Sequence, residues 1–327
     1  DVRGTASGNA SALAEIDFAI DGSITQLVAS IAGLPDPLVG QRLEFHGDPG
    51  GIRVASARGR LGPTQFDLAG QRSGWNREAP AILHGRITDF DFALVNRMRA
   101  FLPTHSQKFC EEFSPGGRCD LDLQLEFDGR RLVRQIHARA TDMSFLYRRF
   151  PYPVDHCTGE VHWVGDQITY RMRRDADDYA LLMSGRVDHP GPAATWEVNL
   201  GTEGSLPIDD PLRRAMQSLP ELHSVIAAFN PEGRIAGTGV LTKLQRGGPV
   251  DKRFNLKMAG VAVSHNSFPY RIEDIRGSVI THNNAFRFEN LTGSNAQASL
   301  ECNGTWTPVE GLAARFICNQ VPLDRRL

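Results

Sequence analysis

From Cys119 to Phe127 the odd positions, Cys119, Leu121, Leu123, Leu125 and Phe127, are apolar, and Asp120, Asp122, Gln124 and Glu126 between them are polar. Strict alternation keeps one side of a strand dry and the other in water, the pattern of an antiparallel sheet with one covered face. Phe254, Leu256 and Met258 alternate with Arg253, Asn255 and Lys257 in the same way, and Val161 with Trp163, then Ile168 with Tyr170, share phase in their own runs. Gly165-Asp166, Asn283-Asn284 and Asn303-Gly304 fall between such runs and offer the positive φ of tight hairpin turns. Helical spacing occurs twice, at Asp91, Leu94, Met98 and Phe101 before Pro103, and at Asp210-Pro211, Leu212, Ala215, Met216 and Leu219 before Pro220. In the second, Asp210 suits the N-cap and Pro211 the first helical position.

The pattern repeats. Phe150-Pro151-Tyr152-Pro153-Val154, with Gly159 and Val161 after it, returns 118 residues later as Phe268-Pro269-Tyr270-Arg271-Ile272 with Gly277 and Val279. Ile168 and Tyr170 are matched by Phe286 and Phe288 at the same offset. Phe113-Ser114-Pro115-Gly116-Gly117-Arg118 is answered 116 residues on by Phe229-Asn230-Pro231-Glu232-Gly233-Arg234. A fainter copy begins at Leu34-Pro35-Asp36-Pro37-Leu38, and Val321-Pro322-Leu323-Asp324 resembles Leu206-Pro207-Ile208-Asp209. Self-similarity at a fixed period marks a repeat architecture. The expectation is a mainly β fold of antiparallel sheet modules, each of about 118 residues with one short helix and about six strands. Residues 1–90 form a partial first repeat, 91–208 the second and 209–327 the third, with the array continuing beyond both ends.

Composition narrows the classes. With 36 basic and 38 acidic residues interspersed and a net charge of -2, there is no basic face for nucleic acid. No run approaches the ~20 apolar residues of a spanning helix. The start at Asp1-Val2-Arg3, without a Met or a signal-type region, and the end at Arg325-Arg326-Leu327 read as an excised piece, so that any membrane anchor lies outside it.

The strand, the Phe-Pro-Tyr-Pro turn, the strand entering at glycine and the following Arg287-Phe288-Glu289-Asn290-Leu291-Thr292-Gly293 step together resemble proteins of the AsmA and TamB type. The likeness is clearest over 261–298 and 143–185 and extends through the internal repeat across most of 30–327. That resemblance implies a sheet curled lengthwise into an open apolar groove, anchored to the inner membrane, crossing the periplasm and conducting phospholipid toward the outer membrane. It implies acyl-chain lipid as ligand, envelope proteins as possible partners, membrane contact through segments outside this chain, and no enzymatic activity. Val161, Trp163, Ile168, Tyr170, Val279, Phe286 and Phe288 are the candidate lipid-lining residues, because they share phase within strands and match between copies. An adhesin-like repeat whose sheets close into sandwiches and bind protein is the alternative.

Reactive residues point to no catalytic site, cofactor or metal. Cys110, Cys119 and Cys157 correspond to Ile226, Ile235 and Ile275, and Cys318 to Leu200, which makes them buried small hydrophobes. Cys302 corresponds to Ser184, and a Cys302–Cys318 bridge stays open. Asp155-His156-Cys157 with His162 could in principle hold a metal or an activated thiol, yet it is private to one copy and sits in a turn-and-strand context. The acids within Arg173–Asp178 read as a solvated turn, lacking the regular ligand spacing of a calcium loop. An enzyme acting on envelope polymers would need converging acids, which the sequence does not display.

Overall fold

The structure, a computed structural model, describes residues 2–7, 17–30, 34, 36–99, 102, 104–265 and 270–320. The first strands are β1 (Val2–Ser7), β2 (Asp17–Ala29), β3 (Leu38–Asp48), β4 (Gly51–Leu61), β5 (Thr64–Arg72) and β6 (Ala81–Asp91). Helices α1 (Phe92–Arg97) and α2 (Thr104–Phe113) precede β7 (Gly116–Phe127), β8 (Leu132–Tyr147), β9 (Phe150–Val164), β10 (Gln167–Asp175), β11 (Tyr179–Asp188) and β12 (Thr195–Gly204). The short β13 (Leu206–Pro207) leads to α3 (Asp210–Gln217) and α4 (Pro220–Phe229). Then come β14 (Arg234–Lys243), β15 (Asp251–Ser264), β16 (Arg271–His282), β17 (Ala285–Asn295), β18 (Ala298–Thr307) and β19 (Gly311–Asn319). The chain is mainly β, and its strands belong to one sheet. Successive strands from β1 to β7 and from β14 to β19 pair antiparallel, as do β11 with β12 and β12 with β14.

Two compact units are present, one of Asp1–Cys110, Pro115–Met143 and Thr158–Thr169, the other of Glu111–Ser114, Ser144–Cys157 and Tyr170–Leu327. In the first, β7 shows the expected alternation from Leu123 to Phe127, whereas Asp120 and Asp122 are half-buried like Leu121 between them, and the Asn96 side chain donates to the Pro115 carbonyl at 3.2 Å, tying α1 to the start of that strand. In the second, Leu212 and Ala215 of α3 bury themselves against Tyr152 and Leu206, with Phe150, Val154, Tyr179 and Ile235 around them. Ala215 is fully buried in this cluster, where added methylenes would overpack the contact between helix and sheet. Among the described residues no helix is long and apolar enough to cross a membrane.

Several local expectations are corrected. Each helical stretch is a pair of helices rather than one, because Pro220 does not end a helix but opens the next, occupying a first-turn position that needs no N–H. The N-cap of α3 is Asp209, not Asp210: its carboxylate accepts from Leu212 N at 2.8 Å, which shifts Pro211 one position into the helix. Asn303-Gly304 is not a turn but lies inside β18, where Gly304 pairs with Phe288 and Ala314. Phe101, Pro103, Phe268-Pro269 and Val321–Asp324 lie outside the described residues.

Residues paired by the sequence offsets carry like backbone conformations. Ser114 and Asn230 have φ 40° and 39°, His156 and Asp274 56° and 48°, and Gly165 and Asn283 57° and 54°. Gly159 and Gly277 are also both positive, at 148° and 120°. Left-handed backbone at non-glycine residues is uncommon, so these coincidences are informative.

The Asp209 cap carries a quantitative expectation. Asp209→Ala should lower stability by about 1 kcal/mol and Asp209→Asn by much less. The check is the urea midpoint at unchanged m-value, and equal midpoints for Asp209→Ala and the parent chain would refute the cap's role.

Candidate functional site

The registers place apolar positions in rows that run across the strands. In the first unit Ile24, Leu43, Ala57, Leu68, Gly85 and Leu123 form one row from β2 to β7. The row beside it runs Leu27, Gly40, Gly59, Phe66, Ile87 and Leu121. In the second unit Met183, Leu200, Gly239 and Phe254 continue through Thr281, Phe286, Trp306 and Leu312 from β11 to β19. Its neighbour is Gly237, Leu256, Val279, Phe288, Gly304 and Ala314. A one-residue slip in any strand would turn its apolar set to the other side, so this face fixes the register.

Large side chains on these rows lie over glycines of the next strand. A methyl group at Gly239 would stand 2.4 Å from the Phe254 ring, and one at Gly59 2.6 Å from Phe66. At Gly22 it would meet Phe45 at 2.1 Å. Tyr170 covers Gly185 in the same manner, and burial pushes its phenol up to about 12. With no Cβ beneath them the rings lie flat, and an almost unbroken apolar surface results.

That surface is incompletely covered. Leu200, Leu312 and Phe316 in the second unit are 37%, 58% and 55% exposed, and Ile20, Leu27 and Leu83 in the first are each at least 37% exposed. One cluster of buried apolar side chains forms where α3 caps the sheet. On the opposite face of the first unit a charged row, Arg42, Arg58, Asp67, Arg86 and Asp122, stands in register across β3 to β7. Arg58 pairs with Asp67 at 2.9 Å and Arg86 with Asp122 at 2.6 Å. The Arg86 guanidinium holds the Asp122 carboxyl below its ordinary range. Exposed pairs of this kind contribute little stability, so their effect is to keep this face wet.

Of the sequence-derived candidates, Phe286 occupies one apolar row of the second unit and Val279 and Phe288 the adjacent one. Phe286 meets Trp306 edge-on, with ring centroids 5.6 Å apart. Tyr170 lies over Gly185 in the same unit. Val161, Trp163 and Ile168 belong to the first unit, all half-buried. Trp163 donates to the Gly165 carbonyl at 3.0 Å and carries the Arg134 guanidinium 5.3 Å from its ring centroid.

The structure does not bring Asp155, His156 and Cys157 together with His162. Cys157 is 2% exposed, whereas His156 is exposed and in left-handed backbone. His162 instead meets His137 of β8 and Glu160, two residues before it on β9, a grouping that sequence spacing hides because it depends on how β8 and β9 lie together. The cysteines are free. Cys110, Cys119 and Cys157 are buried as expected, but Cys318 is exposed on β19, a correction, and Cys302 faces Phe316 while Cys318 faces Leu300.

No family model matches the chain, and neither a curated protein nor a solved structure matches it. These comparisons lend no support to the resemblance read from the sequence.

Two outcomes follow from this geometry. Gly239→Ala should cost about 1–3 kcal/mol by lifting Phe254, and that cost should largely vanish in a Phe254→Ala background. An undiminished cost in the double-mutant cycle would mean that the ring is not what the glycine accommodates. Burial, and secondarily the Asp120 carboxylate, pushes the Cys119 thiol up to about 12. At pH 8 a thiol reagent should therefore label Cys318 rapidly and Cys119 only after unfolding, as peptide mapping would read.

Proposed function

We propose that the chain is a non-enzymatic, lipid-binding and lipid-conducting segment of an AsmA-like envelope protein, its apolar face curled into a groove that receives acyl chains. The observation that carries this reading is the pair of adjacent apolar rows that continue from strand to strand in each unit and remain only part-covered. Exposed apolar surface beyond a few hundred Å² marks a binding surface. An acyl chain laid on it gains ~0.8 kcal/mol per buried methylene. A closed sandwich would set a second sheet ~10 Å above these rows, an arrangement hard to reconcile with the exposure of Leu200, Leu312 and Phe316.

Curling needs the strands to bend toward the apolar side. Glycines beneath flat-lying rings permit it, and register shifts at Ala259/Val261 and Val261/Val263 in β15 add bulges that increase local twist. The matched φ values support stacked modules of about 118 residues as the unit from which such a groove is built. In this reading the protein resides in the periplasm, anchored to the inner membrane outside this chain, and serves phospholipid transport or outer-membrane biogenesis with envelope partners.

Detergent-free protein should release lipid on solvent extraction, and a photo-crosslinking residue at position 163 or 286 should capture it where one at 287 does not. Phe288→Asp should lower lipid occupancy at least about fivefold, near 1 kcal/mol. Lipid-free spectra from folded protein, without adducts at either apolar position, would sink the proposal.

A further inference from the structure

The wet side of the β8–β9 region holds a second feature, independent of the lipid reading. His137 and His162 stack with ring centroids 4.3 Å apart and planes 8° apart. Glu160 reaches between them, Oε1 standing 3.8 Å from Nε2 of His137 and Oε2 3.5 Å from Nε2 of His162. One donor atom from each residue lies within 4.8 Å of the other two. All three residues belong to the first compact unit.

We propose that His137, Glu160 and His162 bind a first-row divalent transition ion of the zinc or cobalt kind. The spacing is the first argument. At 3.5 and 3.8 Å these contacts are too long for hydrogen bonds. Ligand atoms about 2.1 Å from a shared ion stand roughly 3.0 Å apart at a right angle and 3.4 Å in a tetrahedron. The two carboxylate contacts, one to each Glu160 oxygen, would shorten by a few tenths of an ångström, and the exposed His162 ring would rotate out of its stack on His137 so that both nitrogens aim at one ion.

The second argument is an orphaned atom. Nε2 of His137 is sealed from solvent and has no hydrogen-bond partner. A buried polar nitrogen in that state calls for an explanation, and an ion provides one. Two imidazoles and one carboxylate suit zinc, cobalt or iron, whereas magnesium and calcium require sets of oxygens.

The frame is already in place. Gly165 N donates to the Arg134 carbonyl at 2.8 Å, and Arg131 pairs with Asp166 at 2.7 Å, fixing the β9 turn against β8. Nearby Asp122 is engaged by Arg86 at 2.6 Å and Arg139 at 3.4 Å, which leaves Glu160 as the carboxylate that meets the ion's charge. Three protein ligands leave coordination positions open to solvent, because Glu160 and His162 are exposed. The ion would pin β8 to β9 and present a Lewis-acidic centre on the face opposite Trp163.

The test is Co²⁺ titration of the metal-free full chain, followed by Zn²⁺ competition. A stoichiometric site should give the intensified d–d absorption of a low-coordinate nitrogen and oxygen set, with Zn²⁺ abolishing it. Thermal unfolding should shift upward with added Zn²⁺. Affinity should fall at least tenfold in His162→Ala and in His137→Ala, while His282→Ala, whose imidazole pairs with Asp251 elsewhere, should leave it unchanged. His162→Ala is the decisive variant, because its ring is exposed and thermal unfolding of the metal-free variant reports separately what loss of the stack on His137 costs. A Co²⁺ spectrum equal to that of the hydrated ion, or equal affinity in the parent and His162→Ala proteins, would overturn the assignment. Lipid extraction is a separate readout, so the two proposals can fail independently.

Discussion

Large apolar side chains lying across glycines of the neighbouring strand are the contact on which the sheet depends. Phe254 over Gly239, Phe66 over Gly59 and Tyr170 over Gly185 use the same device in both units. A glycine in a strand costs backbone entropy and offers nothing to pack. Here that loss is offset because the neighbouring ring is held flat against backbone, where it covers more surface than an upright side chain could. The large-over-glycine pairs also fix the register, since a slip of one residue would set rings against Cβ atoms and send charges to the apolar side.

Two very different faces result. The apolar rows remain part-covered, so the hydrophobic gain at each site falls short of the 1.5–3 kcal/mol or so expected for a fully buried Leu or Phe. Stability must then be distributed over the ladder hydrogen bonds and many half-buried contacts, with a denser centre at Tyr152, Leu206, Leu212 and Ala215 under α3. The charged face, with Arg58–Asp67 and Arg86–Asp122 across strands, adds little energy but keeps that side in water. A ligand with acyl chains would complete the burial that the sheet leaves unfinished, while His137, Glu160 and His162 stand on the wet side.

Much of this was legible in the sequence because strand alternation is a local property. The period-two runs at Cys119–Phe127 and Phe254–Met258 became β7 and β15, with half-buried and wet sides alternating throughout the second run and from Leu123 onward in the first. The phase of Val279, Phe286 and Phe288 placed them on one face. What escaped was non-local or turned on single positions. Asp209 rather than Asp210 caps α3 because only its carboxylate reaches the Leu212 N–H. Asn303-Gly304 looked like a turn, yet the glycine is required there by the close approach of Ala314. His137 joins Glu160 and His162 only once β8 and β9 are laid together, which no spacing along the chain announces.

Fluorescence of a single tryptophan tests the uncovered apolar face most directly. With Trp306 as the only tryptophan, phospholipid brominated along its acyl chains should quench the emission strongly. A protein whose only tryptophan comes from Arg287→Trp, on the charged side, should be quenched little. Equal quenching at the two positions, or none at Trp306 in a folded protein, would contradict the account.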